Sequence, residues 1–64
     1  MAAEAVYRIV PADDGYCVEH DGQKSVSYFT REAAFEAAIF PASNAIKEGL
    51  DVRIEVTRGG TASN

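Results

Sequence analysis

The chain is 64 residues long, with a formal net charge of −4, a hydrophobic share of 47% and a charged share of 25%. Those values describe one globular domain; they exclude a disordered polymer and a general binder of the phosphate backbone, which would cluster Lys and Arg. Cys17 is the only cysteine and His20 the only histidine, so neither an intrachain disulfide nor a Cys/His zinc site can form.

At this size folding buries only about 60% of the surface that the unfolded chain exposes, so stability is marginal. With disulfides and metals set aside, oligomerisation is the remaining common support. No apolar run approaches the ~18 residues of a membrane-spanning helix. Met1 is followed by Ala-Ala-Glu-Ala rather than by a basic and then an apolar region. The expectation is a soluble, cytoplasmic protein without metal or cofactor.

Residues 1–4 are small and polar and are expected to fray. Ala5 to Val10 reads as a first strand: Tyr7 and Ile9 fall on one face, and Val6, Arg8 and Val10 on the other. Pro11-Ala12-Asp13-Asp14-Gly15 has the composition of a turn. Tyr16 to His20 makes a second strand. Asp21-Gly22 is a strong signal for a two-residue hairpin loop, and Lys24 to Phe29 follows as a third strand.

Register follows from pairing. With Asp21-Gly22 as the loop, His20 faces Gln23 and Glu19 faces Lys24. A loop of Ala12 to Gly15 sets Arg8 against Glu19, Ile9 against Val18 and Pro11 against Tyr16, so that Tyr7, Ile9, Tyr16 and Val18 gather on the helix-covered face. A one-residue slip would bring Val6 and Val10 inward instead.

Thr30 to Gly49 reads as the helix, with Thr30 as N-cap, Glu32 in the first turn, Lys47 near the end and Gly49 at the C-cap. Phe35, Ile39, Ala42 and Ile46, with Ala38 and Ala45 beside them, form its expected core stripe. Pro41 removes the hydrogen bond to the Ala37 carbonyl at a cost of about 3 kcal/mol, and predicts a kink near Ala37 to Pro41. Asp51 to Thr57 is a fourth strand, in which Val52, Ile54 and Val56 alternate with Arg53 and Glu55. The ordered core spans about 5–58, and 59–64 is expected to be a flexible tail.

The fold class is α+β, with order β-β-β-α-β: a single sheet of three to four strands with one Pro41-kinked helix on one face. A right-handed crossover most simply places the fourth strand beside the first and parallel to it, in the order 3-2-1-4; the alternative sets it against the third.

Gly15-Tyr16-Cys17-Val18, Asp21-Gly22, Ile9-Val10-Pro11 and Thr30-Arg31-Glu32-Ala33-Ala34 together resemble the short bacterial proteins grouped as domain of unknown function 2188. Tyr16 stands where that family has Trp, and Phe40-Pro41 interrupts a helix that the family keeps unbroken. The resemblance brings no activity. Looser similarities, to ribonuclease H-like antitoxins and to three-strand-plus-helix DNA-binding domains, imply the alternative of a nucleic-acid-associated or antitoxin-like regulator.

No catalytic motif is evident. Cys17 and His20, three apart on a strand, point to opposite faces, and Asp13-Asp14 is explained as turn chemistry without the further oxygens of a calcium loop. Arg8, Lys24 and Arg53, with Tyr28, form a weak nucleic-acid candidate on the open sheet face, where Glu19 and Glu55 offset their charge. Phe40 lies about 140° round the helix from Phe35, at ~100° per residue. With Pro41, Ala37 and Ala33 it builds an outer apolar patch of the kind that often marks a partner surface. The expectation is a non-enzymatic module, a homodimer or the binder of a small protein, that uses either this patch or the open sheet face around Val6 and Val10.

Overall fold

The computed structural model describes residues 3–57. In chain order its elements are β1 (Glu4–Ala12), β2 (Gly15–His20), β3 (Gln23–Lys24), α1 (Arg31–Lys47) and β4 (Asp51–Val56). They form one four-stranded sheet, ordered β3-β2-β1-β4, with the helix on one face. β4 runs parallel to β1 and the other pairs are antiparallel. This is the α+β arrangement and strand order that the sequence predicts, with the fourth strand against the first.

Both hairpin registers follow the sequence reading: Arg8 pairs with Glu19, Ile9 with Val18 and Pro11 with Tyr16, and Glu19 pairs with Lys24. The first loop is shorter than expected. Ala12 pairs with Gly15, leaving only Asp13 and Asp14 to turn. β1 therefore passes through Pro11, which is tolerated because alternate residues send their backbone groups to opposite sides. The missing N–H of Pro11 points away from β2 and past the Val56 end of β4. At the second hairpin Asp21 and Gly22 have φ of 53° and 78°, the paired positive values of a type I′ turn. Of the residues 1–4 expected to fray, 1 and 2 lie outside the described residues, while Glu4 opens β1 and Asp51 N–H donates to the Ala3 carbonyl (3.1 Å). The tail expectation for 59–64 lies outside the described residues.

The third strand departs from expectation. It ends at Lys24 because only half of the next ladder rung is backbone: Ser25 N–H still donates to the Val18 carbonyl (2.9 Å), but the Ser25 hydroxyl, in place of its carbonyl, accepts from Val18 N–H (2.9 Å) and donates to the Val26 carbonyl (2.8 Å). The chain bows out through Val26 and returns at Tyr28, which exchanges two hydrogen bonds with Tyr16 (2.7 and 2.8 Å). Continued register would have paired Tyr16 with Ser27. The extra residue flips the face, so Tyr28 packs against the core under the helix rather than standing on the open face beside Arg8. Gly15 makes room for this return, since any Cβ there would overlap the Tyr28 carbonyl.

Both helix ends follow the sequence. The Thr30 hydroxyl caps Ala33 N–H (3.0 Å), while Gly49 at φ 88° lets Leu50 N–H reach Ala45 O and Gly49 N–H reach Ile46 O (both 3.0 Å). That pair of bonds is a Schellman motif. α1 runs through Pro41 as a single element rather than two.

The expected core stripe is wrong in one respect. Ala34, Ala38, Ala42 and Ala45 are the buried helix residues, packed on Ala5, Tyr7, Ile9 and Val18 with Tyr16, Tyr28, Leu50, Val52 and Ile54 around them. Phe35, Ile39 and Ile46 are 38%, 43% and 62% exposed. Three tyrosines already fill the space above the sheet, so only alanine fits between helix and strands, and the helix is rolled to bring that stripe down. Among the described residues no helix is long and apolar enough to cross a membrane.

Candidate interaction surface

The open sheet face carries Val6, Arg8, Val10, Glu19, Lys24, Arg53 and Glu55, as the register requires. Val6 and Val10 are half-buried between charged neighbours rather than forming a bare apolar patch. Glu55 accepts from Arg8 Nε (3.2 Å) and Arg53 Nε (3.3 Å), and Arg53 also approaches Glu4 (3.9 Å). Two of the three basic residues in the nucleic-acid candidate thus face carboxylates. The third, Lys24, sits opposite Glu19, and the aromatic member, Tyr28, lies on the other side of the sheet.

Cys17 and His20 project to opposite faces. Cys17 is buried opposite Val10, while His20 stacks on the Tyr7 ring (centroids 4.2 Å apart, planes 13° apart). His20 Nδ1 lies 2.8 Å from the Val6 carbonyl and Nε2 lies 3.5 Å from Asp21. Because a carbonyl only accepts, Nδ1 holds the proton. The ring stitches the hairpin end to β1, and the two side chains form no thiol–imidazole pair. Among the described residues, no group of three or more His, Cys, Asp or Glu side chains is placed to hold a metal.

The helix surface divides in a way the sequence reading did not anticipate. Ala37 and Pro41 border an open cleft of about 270 Å³ over β2 and β3, walled by Val18, His20 and Tyr28. Ala33 is half-buried. Phe40, 76% exposed, stands nearly opposite the alanine stripe. The outer patch is therefore Phe40 with little beside it, while Pro41 and Ala37 belong to the cleft.

The larger apolar surface lies on the other flank. Ala37 and Pro41 face β2, so Phe35, Ile39 and Ile46, on the opposite side of the alanine stripe, overhang β4. Val56, exposed at the end of β4, belongs to the same strip. By sequence periodicity alone, Phe35, Ile39 and Ile46 belong to the core stripe. The signal that would have separated them is the alanine series itself, Ala34, Ala38, Ala42 and Ala45, which repeats at helical spacing and marks the close-approach face.

Comparison with protein-family models, with curated proteins and with solved structures returned no match to this chain. The resemblance to domain of unknown function 2188 rests on the residues that carry it. What the fold defines is a class, a one-layer sheet covered by a single helix.

Proposed function

We propose that this chain is a small, non-enzymatic interaction module of the cytoplasm that associates with itself. The observation that carries the reading is the orientation of α1, which turns alanines to the sheet and leaves Phe35, Ile39, Phe40 and Ile46 exposed. Burying a large apolar side chain contributes about 1.5–3 kcal/mol, and a domain this small has few such contributions to forgo. A second protein surface laid on the helix would recover them.

Sedimentation equilibrium over a concentration series tests the reading, with Phe40→Asp as the first variant. The wild type is expected to dimerise. A loss of association in Phe40→Asp would assign the contact to the outer helix surface at Phe40; no change would move it to the cleft side of Ala37 and Pro41, to the open face near Val6 and Val10, or to the β4 flank. A wild type that stays monomeric at millimolar concentration would remove the proposal.

A nucleic-acid-associated or antitoxin-like role is the alternative. The pairing of Arg8 and Arg53 with Glu55 works against it, because such affinity depends on free cations facing phosphate. Titration with single-stranded RNA, read as salt-sensitive amide shifts at Arg8, Lys24 and Arg53, would favour it; no shift would dismiss it.

A further inference from the structure

β4 is the last strand of the sheet. It pairs with β1 on one side and, among the described residues, with nothing on the other. Asp51 N–H donates to Ala3 O and Thr57 N–H to Ile9 O (3.1 and 3.0 Å), so the odd-numbered residues turn their backbone groups inward to β1. Val52, Ile54 and Val56 therefore send their N–H and C=O groups outward, because successive strand residues alternate. Six residues of regular strand with an uncovered ladder form a ready template for another strand.

We propose that a second copy of this chain occupies that edge, β4 against β4, antiparallel about a two-fold axis at Ile54. This rests on the self-association reading and names its surface. In that register Ile54 faces Ile54, Val52 faces Val56 and Arg53 faces Glu55 of the second copy. Every outward backbone group of Val52, Ile54 and Val56 then meets an outward group of the other strand.

Charge selects this register. Antiparallel ladders centred on neighbouring residues also satisfy the backbone, but an axis at Arg53 sets Arg53 against itself and Asp51 against Glu55, and an axis at Glu55 sets glutamate against glutamate. Like charges directly opposite oppose pairing. Of these three axes only the one at Ile54 joins opposite charges on the open face while matching valine and isoleucine on the helix face; an axis at Val52 would also set Asp51 against Arg53, but it faces Ile54 with Leu50, outside the strand, and leaves Val56 with no strand residue opposite. The strand Val52-Arg53-Ile54-Glu55-Val56 is self-complementary when read backwards.

The helix flank agrees. α1 lies over β1, with β2 and β4 to either side. A two-fold axis normal to the sheet keeps both helices on one face of a continuous sheet. Their axes are then about 14 Å apart, three strand spacings of ~4.8 Å, beyond the 8–10 Å of direct helix contact. Alanine would leave a trench there. Phe35, Ile39 and Ile46, with Val56 below, are long enough to fill it, which accounts for bulk on the flank and alanine on the sheet side.

The test uses the full chain, with Arg53→Glu, Glu55→Arg and the double reversal compared by sedimentation equilibrium. Each single reversal makes both symmetric cross-strand pairs like-charged and is expected to weaken the dimer about tenfold or more. An equimolar mixture of the two single variants recovers association as a heterodimer, and the double reversal recovers a homodimer, because opposite charges again face each other. Hydrogen exchange on the wild type gives a second readout that needs no variant. The amides of Val52, Ile54 and Val56 should gain distinctly more protection as concentration rises than those of Arg53 and Glu55, which are already bonded to β1 and gain only what dimerisation adds to global stability. A wild-type dimer without that alternation, or with single reversals that associate normally, overturns the β4 interface and leaves self-association to another surface. A monomer at millimolar concentration overturns both.

Discussion

At one edge of the sheet β3 lasts two residues before the Ser25 hydroxyl replaces its own carbonyl as acceptor and the chain bows away; at the other, β4 keeps six residues in regular alternation. The first edge is closed by its own chain, through the Tyr16–Tyr28 bridge and the cleft walls around Ala37 and Pro41. The second has flanking apolar side chains and outward-facing amides. A strand edge is a liability unless it is shortened, bulged or covered, and among the described residues such measures appear on the β3 side alone. That contrast is what the proposed β4 pairing rests on.

The sharpest way to break the contrast is to open the closed edge. Gly15→Ala drives a methyl into the Tyr28 carbonyl and should cost about 3 kcal/mol or more. At roughly 4–8 °C of Tm per kcal/mol for a chain of this size, a thermal melt should show the cooperative transition largely lost. Next is the seat of the helix between the two edges. Ala38 is fully buried, and Ala38→Leu should cost about 1–3 kcal/mol by overpacking, read from urea denaturation. An Ala38→Leu variant of wild-type stability would mean that the helix can lift and that alanine is not what fixes its roll.

Smaller effects sharpen the comparison. Ser25→Ala leaves the Val18 N–H without its acceptor and should cost about 1 kcal/mol, with faster amide exchange at Val18 than elsewhere in β2. On the open edge, Glu55→Gln removes ion pairs to Arg8 and Arg53 whose side chains are solvent-exposed. In dilute, monomeric protein its unfolding midpoint should move by less than about 0.5 kcal/mol in equivalent stability.

Much of the fold was legible because local chemistry and long-range pattern agreed. Asp21-Gly22 set the second hairpin, Thr30 and Gly49 bounded the helix, and Val52, Ile54 and Val56 gave β4 its period. What escaped was decided by volume and by one residue of register. Hydrophobicity ranks Phe35 and Ile39 above alanine, yet Tyr7, Tyr16 and Tyr28 leave a gap that only alanine fills. Tyr28 was placed on the wrong face because a serine side chain standing in for backbone carries no periodic signal. The surface was less legible still. Phe40 stood out as exposed, but the flank of Phe35, Ile39 and Ile46 looked like core until the roll of the helix was known.

Cys17 sits at the seam of the closed edge, buried in β2 next to Lys24, Ser25 and Ser27. As the sole thiol in the chain it is a built-in reporter, since a thiol reagent can reach it only when that segment lifts. The ratio of its labelling rate in the folded protein to that in urea measures the free energy of that opening, separately from global unfolding. The protein therefore carries a gauge for one edge of its sheet, and Ser25→Ala should raise the labelling rate while Glu55→Gln leaves it unchanged.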